Sequence, residues 1–254
     1  MRKLVTTFAF AAGILVGAQA QAAGEAATPP KLDWSFNGLF GTYDQASLQR
    51  GYQVYKEVCA ACHSMRLVSF RHLEALGYTE DEVKAFASEY EVTDGPNDDG
   101  EMFDRPARPS DRFPSPYPND NAARASNGGA LPPDFSLITK ARAGGPDYIH
   151  ALLTGYKEAP AGVELGTGMY YNEYFPGQQI AMAPPLADEM VTYADGQPKP
   201  TLDQLSRDVA HFLNWASEPE LEQRKQTGWK VIIFLLVFTI LAYVTKRRIW
   251  ADVH

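Results

Sequence analysis

The sequence predicts a mainly α-helical domain with long loops, carried on one C-terminal transmembrane helix. Apolar residues recur at helical spacing in several stretches. The stretches between are rich in Gly, Pro, Asp and Asn, and period-two alternation is too sparse for a substantial sheet. Residues 231–244 form a continuous apolar run that, with its flanks, approaches the roughly 20 residues needed to cross a hydrocarbon core. With 254 residues, 45% of them hydrophobic, the chain suffices for one good-sized domain plus appendages.

Residues 1–22 read as a secretory signal peptide. Arg2 and Lys3 open it, residues 4–16 are apolar, and small residues close it at Ala18-Gln19-Ala20 or Ala20-Gln21-Ala22. A polar lead, residues 25–30, follows. Residues 43–62 read as a helix, with Asp44 at its start and Leu48, Tyr52, Tyr55 and Val58 at helical spacing. A second helix is expected over 80–90, behind a capping box of Thr79 and Glu82. Residues 91–121 should be mostly loop. Residues 148–155 should form a short helix ended by Gly155, and residues 158–195 are again irregular. The clearest soluble helix is 201–217, opened by a capping box of Thr201 and Gln204, with Leu205, Val209, Phe212 and Ala216 along one face. Pro219 then restarts a helix that can run into the anchor.

The expected organisation is therefore a signal peptide (1–22), an exported domain (23–220), an anchor helix with flanks (221–248) and a short tail (249–254). Trp229 and Tyr243 sit near the ends of the span, Lys230 can snorkel outward, and Lys246-Arg247-Arg248 follows. Positive residues stay in the cytoplasm, so the C-terminus faces inward. The signal peptide independently sends the bulk outward. Both place a single-pass protein in a bacterial inner membrane with its domain in the periplasm. The chain carries −8 overall, but residues 23–223 hold 15 Lys and Arg against 30 Asp and Glu, or −15. An acidic exported body suits a basic protein partner and argues against nucleic acid.

Both cysteines fall in Cys59-Ala60-Ala61-Cys62-His63, which fits the C-x-x-C-H pattern of c-type haem attachment. Two thiols one turn apart can add to two haem vinyl groups, and the next residue projects an imidazole to the iron. A thioredoxin-like redox pair would bring a βαβ pattern, and none is visible. A zinc site would want a second ligand pair, and only His72 lies nearby. The expectation is one covalent haem c with His63 as proximal iron ligand. Long loops fit this, since a haem gives them a surface to pack on.

For the other iron face, His72, His150, His211 and His254 remain, with Met65, Met102, Met169, Met182 and Met190. Met65 is too close to His63 to reach round, and His254 lies beyond the anchor. His211 is more ordinarily a packed or surface residue, and Met169 sits among tyrosines and more ordinarily packs. Met182 stands out in Ile180-Ala181-Met182-Ala183-Pro184-Pro185-Leu186, where prolines stiffen the chain around a thioether. His/Met ligation raises the reduction potential and favours electron transfer.

At this point the sequence resembles the cytochrome c1 family, the haem subunits of quinol–cytochrome c oxidoreductases. The resemblance runs through Val58-Cys59-Ala60-Ala61-Cys62-His63-Ser64-Met65, Arg124 to Asp134, Tyr148 to Tyr156, Tyr171 to Leu186, and Asp208 to Pro219 followed by the anchor. It implies Met182 as sixth ligand and Arg124 near a haem propionate. It implies one electron in from a Rieske iron–sulfur protein and one out to a soluble cytochrome c. It also implies a membrane complex with cytochrome b, dimeric, in a respiratory or photosynthetic chain. The chain would be an electron relay, not an enzyme on its own. Some bacterial relatives carry an extra disulfide, and this chain has no cysteines for one.

Two other readings compete. A free-standing tethered cytochrome c shuttle would want a long flexible linker, and only residues 219–227 intervene. A gas sensor or enzyme would need an open sixth site, which Met182 argues against. Asp94, Asp98, Asp99, Glu101 and Asp104, with Glu80, Asp81, Glu82, Glu89 and Glu91 before them, are candidates for steering a basic cytochrome c.

Overall fold

A computed structural model describes residues 26–252. The proposed signal peptide lies outside them. The fold is mainly helical, as expected. In chain order the elements are α1 (Gln45–Glu57), 3-10 turns Cys59–Ala61 and Phe70–Leu76, α2 (Glu80–Ser88), the strands β1 (Glu91–Asp94) and β2 (Phe103–Pro106), α3 (Asp120–Ser126), α4 (Ile138–Ala141), α5 (Pro146–Thr154), β3 (Tyr170–Tyr171), β4 (Gln179–Ile180), α6 (Leu202–Ser217) and α7 (Leu221–Ile249).

The core is built on α1 crossing α6. Leu48, Tyr52, Val54 and Tyr55 of α1 meet Leu205, Val209, Phe212 and Leu213 of α6, all at most 2% exposed. Gly51 makes the crossing possible, because a Cβ there would sit 2.1 Å from the Asp208 carbonyl oxygen. A bidentate pair closes the same crossing. Arg50 Nε and Nη2 each donate to Asp208 at 2.9 Å, and Tyr193 and Gln204 donate to the same carboxylate at 3.0 Å.

Asp44 caps α1 by accepting from the Ser47 amide at 2.9 Å, and Thr79 and Glu82 form the expected reciprocal box on α2. At α6 only half of the expected box exists. Thr201 accepts from the Gln204 amide at 3.2 Å, but the Gln204 side chain turns to Asp208 instead. The buried carboxylate needs donors more than the exposed cap does. The stretch 91–121 is mostly loop, as expected, but β1 and β2 pair antiparallel within it, Glu91 opposite Pro106. Thr93 bonds Asp104 across the pair, and Arg105 is clamped between Asp94 and Asp111.

His211 is buried in α6 beneath the rings of Trp34, Phe36 and Tyr43, and its Nε2 has no hydrogen-bond partner. Burial depresses its pKa to about 4, with Arg50 and Arg207 acting the same way and Asp44 and Asp208 opposing. Below about pH 6.5 the unfolded chain binds a proton here that the folded chain refuses until about pH 4. Stability should therefore fall as pH drops through this window, by roughly 3 kcal/mol at its foot. His211→Phe should flatten that part of the curve of denaturation midpoint against pH. An identical slope in both proteins would show that His211 does not carry it.

α7 leaves the domain without a flexible linker. Glu218 pairs with Lys140 of α4 and, at 2.5 Å, with Arg224 of α7. The Tyr43 amide donates to Glu222 at 2.8 Å. Beyond this joint, the helix from Val231 to Val244 is exposed on every side and apolar except for Thr239. Such a helix is stable only where lipid replaces water, so the protein is membrane-anchored.

Candidate functional site: a haem c centre

The C-x-x-C-H motif sits where α1 gives way to a single 3-10 turn, shorter than the helix expected through residue 62. The Cys62 and His63 amides both donate to the Cys59 carbonyl, at 3.1 and 2.9 Å. This brings both cysteines and His63 onto one tight turn. The Tyr117 hydroxyl lies 3.8 Å from the Cys62 sulfur and accepts from Asn127 at 3.1 Å. A shallow cleft lined by Cys62, Ser64, Arg66, Tyr117 and Leu131 opens beside it.

His63 is held from a distant part of the chain. Its Nδ1 is 2.9 Å from the Pro133 carbonyl oxygen. A carbonyl can only accept, so Nδ1 carries the proton and Nε2 keeps its lone pair. Among the described residues, Nε2 makes no hydrogen bond. The Phe135 ring stacks on the imidazole, 3.9 Å between centroids and 16° between planes. Desolvation by this packing lowers the His63 pKa, against the Pro133 hydrogen bond and Asp134, and favours the neutral form that a metal needs.

Asp134 ties residues 133–136 to the turn that carries His63. It accepts from Ser64 Oγ at 2.7 Å, from the Arg66 amide at 3.0 Å and from the Ser136 amide at 2.9 Å. Burial raises its pKa, but these donors outweigh burial and hold the carboxyl below the usual range. Sequence reasoning assigned no role to Pro133 or Phe135. The readable signal was Pro132-Pro133, two carbonyls on a stretch that cannot bond internally.

Met182 follows the β3–β4 pair, in which Tyr170 lies opposite Ile180. The Tyr156 hydroxyl donates to the Met182 carbonyl at 3.0 Å. Leu186, beyond the two prolines, is buried in the core. The backbone is thus pinned on both sides, and Met182 itself is half-buried. The competing residues have other engagements. His72 Nδ1 accepts from the Ser69 amide at 3.1 Å, capping its own turn. His150 Nε2 meets Asp203 at 2.9 Å, joining α5 to α6. Met65 is buried outright, Met102 and Met190 point to solvent, and Met169 is half-buried. Arg124, in the last turn of α3, is exposed; it donates to the Gly129 carbonyl at 3.1 Å and has no carboxylate partner among the described residues.

The model of the cytochrome C1 family matches residues 34–253. The chain belongs to that family. It is 47% identical to cytochrome c1 of Rhodospirillum rubrum, over all of this chain and 99% of that one. It is 54% identical to a mitochondrial cytochrome c1 heme protein of Arabidopsis thaliana, over 87% of this chain and 72% of that one. It is 51% identical to cytochrome b/c1 of Bradyrhizobium diazoefficiens, over 89% of this chain but only 36% of that longer protein.

A cytochrome is an electron-carrying haem protein, and membership of the cytochrome c1 family makes this chain one, with haem c as its cofactor. The residues present fit that group. Two free thiols and the His63 imidazole sit on one turn, and Nε2 of that imidazole makes no hydrogen bond among the described residues. Extraction of the purified protein with acidified acetone should leave the haem on the polypeptide. Haem recovered in the organic phase would rule out attachment through Cys59 and Cys62.

Proposed function

We propose that this chain is the haem subunit of a quinol–cytochrome c oxidoreductase. It would take one electron at a time from a Rieske iron–sulfur protein and pass it to a soluble cytochrome c. Cys59 and Cys62 would form the two thioethers, His63 and Met182 would ligate the iron, and Arg124 would face a propionate. The haem supplies a one-electron ferric/ferrous couple. The chain's part is to hold its ligands still, so that little reorganises when the charge changes. The observation that carries this reading is the fixed His63 tautomer, with Pro133 holding Nδ1 and Nε2 left free.

The anchor supports a place in a membrane complex with cytochrome b. Lys246, Arg247 and Arg248 at its far end support a cytoplasmic C-terminus and a periplasmic haem domain. The organisation proposed is the one read from the sequence, with residues 1–22 removed, 23–220 carrying the haem and 221–248 the anchor. Asp98, Asp99 and Glu101 lie exposed at the tip of the β1–β2 hairpin, and the net negative body supports a basic electron acceptor.

Purification from native membranes in mild detergent tests this reading. Co-purification of b-type haems and a Rieske centre is the expected result. A chain that emerges with its c-type haem alone, from membranes whose other complexes stay intact, would favour a tethered shuttle.

A further inference from the structure

Between the buried Trp34 and the start of α1 the chain makes a small closed loop. The Asn37 amide donates to the Trp34 carbonyl at 2.9 Å, and the Thr42 amide donates to the Ser35 carbonyl at 3.1 Å. Trp34 and Phe36 bury their rings in the core. Lys225, at the start of α7, donates to the carbonyls of Phe36 at 2.6 Å and Gly41 at 3.0 Å. The loop is tight enough that a Cβ on Gly41 would lie 2.0 Å from the Asn37 carbonyl oxygen.

This well-held loop presents Leu39 and Phe40 outward. Phe40 is 74% exposed, more than any other large hydrophobic side chain among the described residues, and Leu39 is 54% exposed. Single exposed apolar residues are common and need no explanation. An adjacent pair on a loop fixed from both sides is different, and its place is specific. Phe40 and Trp229 of α7 meet edge to face, 6.0 Å between centroids and 88° between planes. Trp229 lies one turn, about 6 Å, beyond Lys225 and directly before Lys230 and the apolar run. That is the level at which hydrocarbon gives way to headgroups, where tryptophan rings settle.

We propose that residues 37–41 form an interfacial foot. Leu39 and Phe40 enter the boundary between headgroups and acyl chains of the leaflet on the haem domain's side. The occupant of this surface is lipid, because the pair is continuous with the lipid-facing surface of α7 through Trp229. One helix alone leaves a domain free to rotate about the helix axis; a second contact beside it removes that freedom. The proposal rests on α7 spanning the membrane, and its test separates the two.

Haem attachment would consume both native thiols, so a cysteine introduced elsewhere is the chain's single reactive site. Full-length Asn37→Cys, Leu39→Cys, Phe40→Cys and Val237→Cys variants would be reconstituted in phosphatidylethanolamine and phosphatidylglycerol vesicles. Each would be reacted with a charged, membrane-impermeant maleimide and followed by mass spectrometry. The attacking species is the thiolate, which forms poorly out of water, so Leu39→Cys and Phe40→Cys should react roughly tenfold or more slowly than Asn37→Cys. Val237→Cys should be inert. Equal rates at 37, 39 and 40 beside an inert Val237→Cys would overturn the foot and leave the anchor standing. A reactive Val237→Cys would overturn both. Protection of Leu39→Cys and Phe40→Cys in the native complex, but not in the lone reconstituted chain, would assign the surface to a protein neighbour and overturn the lipid contact.

Discussion

Met182→Leu should lower the reduction potential by on the order of 0.2 V, a fraction of the span of about 0.8 V over which axial ligands move haem potentials. Leucine keeps the bulk and loses only the sulfur. The backbone should hold its course, because Tyr156 grips the residue-182 carbonyl and Leu186 stays in the core. The change therefore isolates the thioether, which as an iron ligand would favour the ferrous state. The ferrous variant should also bind carbon monoxide, which the parent should exclude. Redox titration and a carbon monoxide difference spectrum read the two effects. A variant with the parent's potential and no affinity for the gas would remove Met182 from the iron.

Asp208→Ala should cost about 3–5 kcal/mol, the usual penalty for removing one partner of a buried ion pair. The carboxylate is 1% exposed and the Arg50 side chain 11%, so the abandoned guanidinium cannot recover its hydration. Tyr193 and Gln204 would lose their shared acceptor as well. A domain's entire stability is typically about 5–15 kcal/mol, so the loss is a large fraction of it. Urea denaturation of the haem-loaded protein in detergent would show the midpoint fall. Arg50→Met combined with Asp208→Leu should recover much of it, because the apolar replacement strands no charge. An unchanged midpoint in Asp208→Ala would mean that water reaches this crossing.

The parts of the fold that were legible in the sequence are those specified locally. The Thr79–Glu82 box reads directly because both partners lie within one turn. The stripe Leu205, Val209, Phe212 and Ala216 reads from its spacing, and all four are buried, but the sequence does not announce that α6 is buried all round from Asp208 to Ala216. The β1–β2 hairpin does not read, since the cross-strand contacts that hold it are polar, Thr93 with Asp104 and Arg105 with Asp94, and leave no apolar alternation. Gln204 misleads because its side chain turns forward to Asp208, one turn on, whose burial the local sequence does not declare. The site divides the same way. Cys59, Cys62 and His63 are contiguous and declare their chemistry. Pro133 and Phe135 reach His63 across some 70 residues, through a contact that exists only once the chain has folded.

The joint between domain and anchor has a mechanical consequence. Glu218, Glu222 and Lys225 bolt α7 to the domain at several points around its first two turns. A 29-residue helix is a rod of about 44 Å. Its apolar run, residues 231–244, covers only about 21 Å of that length, less than a hydrocarbon core of about 30 Å, so it offers no surplus for tilting to take up. With no hinge at this joint, the domain keeps whatever attitude the helix takes in the bilayer. Anchor and domain thereby move in the membrane as one rigid piece.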